Sequence, residues 1–397
     1  MNPGRSDGPL AGVKVLDLTR LLPGGYATLL MADLGADVVK LEEPGKGDYI
    51  RWTPPIVGDL SAAHIALNRN KRSITLNLKS ERGRALLLEL AGSFDVLVES
   101  FRPGVMDRLG VGYEALSARH PRLIYAAISG YGQDGPRSRV AGHDNNYIGY
   151  AGVLSIVGAE GDRPVLPGVQ VGDMAGGGMS AVIAILAALF RRSITGRGDL
   201  CDISMMDGAM SWLSIHAGEF VATSEVPQRE LMHLSGRFPC YRVYPAADGY
   251  LTVGALEPQF WTRLTAKLER DDLVDEAFAM GDRRDEVISI LEGIFMTKTR
   301  AEWMTFFGDD DVCVGPVNDF AEAFKDPQAI AREMVFETEI DGVGPWRHIG
   351  NPIKVTGAPG RVDRLPPPRL GEHTVEVLSA AGVSDADLEA FRSEGVI

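Results

Sequence analysis

Residues 13–42 read VKVLDLTRLLPGGYATLLMADLGADVVKLE, and this stretch decides the fold. Val13–Leu18 is a short run rich in strand formers, and Val38–Leu41 is a second. Between them, Pro23–Leu34 carries apolar residues at helical spacing, with Pro23 near its start and Gly35 just past its end. Proline suits a first helical turn because the N–H it lacks has no partner there. Glycine suits a helix end because it takes a left-handed backbone freely. Strand, helix and strand in this order form a βαβ unit, which brings its two strands together in parallel.

The rhythm continues outward. Asn68–Ser73 reads as a basic loop ahead of the strand-like Ile74–Leu76. Ser80 opens a helix carrying Leu86, Leu87, Leu88 and Leu90, and Asp95–Val98 is the next strand. One helix is expected over Pro103–Ala118, and Leu123–Ile128 is a further strand. Strands alternating with helices predict an α/β fold whose parallel sheet is covered on both faces. An apolar helix over Gly178–Arg192 and another over Asp207–Ala222 follow. The expected organisation is a large domain over residues 1–222, a polar linker over 223–240, a smaller unit over 241–328 and a final segment over 329–397. The small unit should hold strands at Tyr250–Gly254 and Val312–Val317 and helices over Pro258–Lys267 and Arg284–Phe295. A proline- and glycine-rich stretch, Gly357–Pro368, should be extended, and Asp385–Ser393 should be a last helix.

Composition bounds the function. The 397 residues are 45% apolar and 24% charged, which argues against disorder. The net charge of −14 disfavours nucleic acid as a partner. Three widely spaced cysteines, Cys201, Cys240 and Cys313, give neither a disulfide framework nor a zinc spacing, so no metal is expected and a reducing cytoplasm fits. Met1–Pro9 is polar and lacks the apolar core of a signal peptide. The longest apolar run, Met179–Phe190, has twelve residues, and no membrane insertion is expected from it.

The turn after the first strand, Thr19–Gly25, lacks a G-x-G-x-x-G fingerprint, and no phosphate loop of the GxxxxGK[ST] type occurs. Nicotinamide dehydrogenases and P-loop nucleotidases are therefore disfavoured. Lys71 and Arg72 in the basic loop, with Arg51, Arg102 and Arg108, read either as a solvated patch or as phosphate ligands, since arginine offers a planar fork and lysine a point charge. Gly142-His143-Asp144 and Gly172-Asp173 ahead of Gly176-Gly177-Gly178 hold an imidazole and carboxylates, the side chains that exchange protons at neutral pH. By themselves, His143 reads first as a surface or core hydrogen-bonding residue, and Asp173 reads also as a helix cap. Glu257, before Pro258, reads as first-turn helix electrostatics.

Together these segments resemble the class III CoA-transferase superfamily, the CaiB/BaiF type that includes α-methylacyl-CoA racemases. The resemblance rests on Pro9–Asp17, Leu34–Lys40 with Glu43-Pro44-Gly45 and Gly47-Asp48, and Asn70–Ser73. It continues through Phe101–Val105, Arg108-Leu109-Gly110, Ser129–Gln133 and Leu370–Thr374. Gly142-His143-Asp144 followed by Tyr147, and Gly254–Pro258 without a poly-glycine loop, resemble the racemase branch. The resemblance implies a large Rossmann-like domain, a smaller α+β domain, a chain end that returns to the large domain, and an interlocked homodimer. It implies that His143 and Asp173 flank the α-carbon of a 2-methylacyl-CoA thioester, one taking a proton and the other giving one. Backbone N–H groups near Asp173 would hold the enolate oxygen. Glu257, from the partner chain, would orient His143, and Asp144 would assist the histidine. Lys71, Arg72, Arg108 and Arg51 would bind CoA phosphates, with no cofactor beyond the CoA of the acyl-CoA substrate. The other branch would use Asp173 as the nucleophile of a CoA transferase. A third reading is a silent acyl-CoA-binding homologue.

Overall fold

A computed structural model describes residues 8–397, so most of the polar Met1–Pro9 stretch lies outside the described residues. The chain forms two compact units. The first takes residues up to Val153, Pro167–Leu213 and Gln328–Ile397; the second takes Leu154–Leu166 and Ser214–Pro327.

The first unit is built on six strands: β1 (Lys14–Asp17), β2 (Asp37–Glu42), β3 (Lys71–Thr75), β4 (Val96–Glu99), β5 (Ile124–Ser129) and β6 (Leu200–Ser204). They run in the order β3-β2-β1-β4-β5-β6, and every neighbouring pair is parallel. This is the doubly wound arrangement. Five helices shape the sites: α1 (Leu21–Asp33), α2 (Asp144–Tyr150), α3 (Ser180–Thr195), α4 (Met205–Ser211) and α5 (Pro258–Lys267).

Side chains alternate along each strand, so the sheet feeds two cores. Val15, Val38, Val96 and Val98 join Ala27, Leu30 and Met31 of α1 and Val182 and Ile185 of α3. Leu16, Val39, Ile74 and Leu97 face the other way and meet Leu87, Leu116, Val377, Leu388 and Phe391. The chain end thus packs on the first unit's sheet.

Several expectations shift. The basic residues 71–73 are not loop: β3 begins at Lys71, paired with Val38 of β2. The single helix over Pro103–Ala118 is two, Val105–Arg108 and Tyr113–Arg119, parted near Gly110, whose φ is +75°. The Asp207–Ala222 helix is also two, α4 and Ser214–Thr223, and the second belongs to the other unit. The apolar helix is longer than its sequence run. It is continuous over Val171–Thr195, with a nine-residue π-helix, Val171–Met179, leading into α3. Its 25 residues include an 18-residue window of mean hydropathy 1.7, so it is long and apolar enough to cross a membrane, which the twelve-residue count missed. Ala181, Val182, Ile185 and Ala188 are nevertheless buried in the core of the unit.

The second unit holds an antiparallel sheet in which Gly249–Gly254 lies between Tyr241–Ala246 and Val314–Pro316. Tyr244, Trp261, Phe295 and Trp303 fill its core. Neither Tyr241–Ala246 nor the Val335–Ile340 and Gly344–Ile349 hairpin of the first unit was anticipated.

Candidate active site

Strand order reverses between β1 and β4, and ligands of doubly wound sheets sit in the crevice this opens at the strands' carboxyl ends. A cavity of about 300 Å³ lies there. Leu18, Leu41, Leu76 and Phe101, each at or just past the end of a different strand, make its apolar lining. Arg20 and Lys79 bring positive charge to it, beside the carboxylates of Glu42, Glu43 and Asp48, and Arg20 lies 3.9 Å from Glu43. The Arg20 guanidinium lies 5.4 Å from the Tyr49 ring centre and 5.2 Å from that of Phe101. Lys79 is 76% exposed and meets Glu43 at 2.7 Å. Sequence inspection passed over both cations; the available signal was their place directly after β1 and β3.

The cations nominated from sequence are mostly engaged elsewhere. Lys71 is fully buried. Its Nζ donates to Gly25 O at 2.9 Å and Asn68 Oδ1 at 3.0 Å and lies 3.5 Å from Asp17. Burial lowers its pKa to about 8 against the pull of Asp17. Arg51 is also buried, held by Glu42 at 2.6 and 2.8 Å and by Pro368 O at 3.1 Å. Arg72 grips Asp37 in a fork at 2.8 Å and reaches Glu376 at 2.6 Å. These three are internal ion pairs tying β3 and the Asp48–Trp52 turn to the rest of the unit, so phosphate contact by Lys71 or Arg51 is not what this geometry offers. Arg108 and Arg102 are exposed and make no ion pair among the described residues. Arg108 remains open to an anionic ligand. Arg102 lies close enough to Tyr147 for its charge to act on that phenol.

His143 caps α2: its N–H donates to Asn146 Oδ1 at 3.0 Å and its carbonyl accepts from Asn146 N at 2.8 Å. This cap leaves the imidazole exposed. Asp144, the first residue of α2, reaches away from the histidine. Its Oδ1 accepts the Asp173 N–H at 2.9 Å, which fastens α2 to the start of the π-helix. Gly172 permits this approach, since a Cβ there would lie 3.1 Å from Asp144 Oδ1. The Asp173 amide is therefore committed to Asp144 and not free for an oxyanion.

The Asp173 carboxyl is half-buried, and its pKa is raised to about 7, first by burial and then by the Asp144 charge. Tyr147, buried beside it, is pushed up to about 12 by burial and next by Asp173. Its hydroxyl donates to Gly142 O, joining α2 to the loop that carries His143. The triple glycine is room for helices. A Cβ on Gly176 would lie 2.6 Å from Met205 O of α4, and one on Gly178 would lie 2.9 Å from Pro23 O of α1. The π-helix, a form enriched at functional sites, is thereby pressed between α1 and α4 with Asp173 in its first turn.

Glu257 lies in the second unit, exposed at the N-terminus of α5 with Pro258 in the first turn. Its charge acts on the Cys313 thiol. Among the described residues no group of three or more His, Cys, Asp or Glu is placed to hold a metal. Cys201, Cys240 and Cys313 are free thiols.

A family model described as CoA-transferase family III matches residues 10–374. The chain belongs to this family. Succinyl-CoA:glutarate CoA-transferase of Homo sapiens is 36% identical to it, over 98% of this chain and 90% of the relative. Alpha-methylacyl-CoA racemase of Homo sapiens is also 36% identical, over 98% of this chain and 97% of the relative. A crystal structure of a CAIB/BAIF family protein from Brucella suis superposes with a TM-score of 0.83 at 32% identity, covering 95% of this chain and 100% of that one. The family III chain is thus an α/β enzyme of a group whose members carry both racemase and CoA-transferase names at equal similarity.

Proposed function

We propose that this family III chain is an α-methylacyl-CoA racemase, interconverting the (R) and (S) forms of a 2-methylacyl-CoA thioester. The observation that carries the reading is the Asp173 carboxyl. Burial and Asp144 raise it to about 7, and Asp144 Oδ1, by accepting the Asp173 N–H, fastens the backbone of that residue to the segment that presents His143. A carboxyl that is half-protonated at neutral pH both accepts and gives a proton. A nucleophilic carboxylate, by contrast, has to be ionised to attack.

In this reading the nucleotide end of the acyl-CoA occupies the crevice between β1 and β4, with Arg20, Lys79 and Arg108 meeting its phosphates. The thioester lies between His143 and Asp173. One of them removes the α-proton, the thioester carbonyl takes the charge as an enolate, and the other, protonated, delivers a proton to the opposite face. The positive end of the Val171–Thr195 helix favours the enolate. Glu257, supplied by the second chain of an interlocked homodimer, orients His143. The outer face of α3 fits such a dimer, because Ile183, Phe190 and Ile194 are 66%, 71% and 73% exposed. The chemistry calls for no metal, nicotinamide or flavin, and the free thiols suit a cytoplasmic setting.

The test is NMR in D2O with a 2-methylacyl-CoA, on the wild type and on His143→Ala and Asp173→Ala. A racemase exchanges the α-proton for deuterium without any acceptor acid, and each variant slows that exchange strongly. No exchange by the wild type, with CoA transfer to an added carboxylic acid and a hydroxylamine-trapped Asp173 intermediate, assigns the chain to the transferase branch instead.

A further inference from the structure

Leu21, the first residue of α1, has φ of +61°. A bulky residue rarely adopts this left-handed conformation and keeps it only where its surroundings impose it. Asp48 supplies the constraint. Its two carboxylate oxygens accept the Leu21 N–H at 3.0 and 3.2 Å. Asp48 is itself fixed. It is 2% exposed, its Oδ2 lies 3.0 Å from Lys40 Nζ, its Oδ1 accepts the Ile50 N–H at 3.2 Å, and its own N–H donates to Glu42 Oε1 at 3.0 Å.

The clamped turn has unequal sides. Ahead of Leu21 stands Arg20, whose N–H donates to Ser100 Oγ at 3.0 Å beyond the end of β4 and whose guanidinium lies over Tyr49 and Phe101 at the cavity. Behind it, α1 is rigid, with every residue from Pro23 to Asp33 buried except Tyr26. If the turn relaxes, the displacement falls on Arg20 and not on the helix.

We infer that Asp48 is a positioning residue for coenzyme A: by holding Leu21 in its left-handed turn it sets Arg20 at the nucleotide cavity. This rests on the reading that the cavity takes the nucleotide end of an acyl-CoA. Re-forming the strained turn on binding costs free energy once the clamp is gone, so freeing it should weaken CoA binding roughly tenfold. The reacting residues lie on other segments, so KM should rise with kcat held.

The experiment measures free coenzyme A binding by calorimetry, and KM and kcat for an acyl-CoA, on the full chain. Asp48→Ala should bind about tenfold more weakly. Adding Leu21→Gly to Asp48→Ala should restore affinity, because glycine adopts φ near +61° without a clamp. Leu21→Gly alone should bind like the wild type. Leu21→Val, which leaves Asp48 in place but resists a positive φ, should weaken binding and keeps the test open if Asp48→Ala does not fold. Wild-type affinity in Asp48→Ala or in Leu21→Val, or a double variant as weak as Asp48→Ala, overturns the inference. A wild type that binds no coenzyme A instead removes the cavity reading, and this inference with it.

Discussion

Replacing Asp144 by Asn separates the two causes that raise Asp173. The amide keeps an acceptor at Oδ1 for the Asp173 N–H, so the 2.9 Å link between α2 and the π-helix survives while the negative charge goes. The sign follows directly. A neighbouring negative charge disfavours ionisation, so removing it lowers the Asp173 pKa. Burial is the larger cause and Asp144 the smaller, so most of the rise from 3.8 to about 7 should remain. A value of roughly 6 is expected, at a cost of 1.36 kcal/mol per pKa unit. Half of Asp173 is protonated at pH 7 in the wild type, and about a tenth would be in the variant. Turnover in the direction that uses Asp173 as proton donor should therefore fall about fivefold at pH 7, and its alkaline limb should move down by about one pH unit. Carbon-13 NMR of labelled aspartate, with Asp173→Asn to assign the resonance, reads the titration directly, and the pH–rate profile of deuterium exchange reads its consequence. An unmoved or higher midpoint refutes the electrostatic role of Asp144. A midpoint near 4 shows that Asp144, and not burial, holds Asp173 up.

Lys71→Met should change CoA affinity less than twofold but destabilise the fold by roughly 3–5 kcal/mol. Methionine leaves the buried Asp17 carboxylate without its lysine and Gly25 O and Asn68 Oδ1 without a donor. A tenfold rise in KM would instead place Lys71 on a phosphate. Gly176→Ala should destabilise the fold by roughly 1–3 kcal/mol and lower kcat more than it raises KM, because the new methyl meets Met205 O at 2.6 Å and Ala209 N at 2.9 Å, both backbone atoms that move only with α4. Gly149→Ala, where a methyl meets nothing within 4 Å, is the control, and thermal melts with steady-state kinetics distinguish the two.

Periodicity carried the strands because each lies in a sheet with cores on both faces. Val15 and Leu16, or Leu97 and Val98, must both be apolar, and runs of such residues are visible without coordinates. Local chemistry placed helix ends equally well, as at Ser80, whose hydroxyl accepts the Gly83 N–H at 3.0 Å. The His143–Asp144 and Asp173 segments were legible because their side chains are chemically distinctive, and the family was legible because many such segments recur in order.

What one chain's sequence could not carry was which charges meet. Lys71 and Arg51 look like ligands for an anion because lysine and arginine normally face water. Asp17 and Glu42, 54 and 9 residues away along the chain, take them into the interior. Asp144 neighbours His143 in sequence yet serves Asp173, because the start of α2 turns its carboxylate onto the π-helix amide. Sequence alone therefore determined the strand and helix alphabet, the family and the candidate acids and bases. Only tertiary structure decided which cations remain free for a ligand and where the proton on Asp173 sits in pH. Those depend on burial and on distances between residues remote in the chain, and both are properties of the fold.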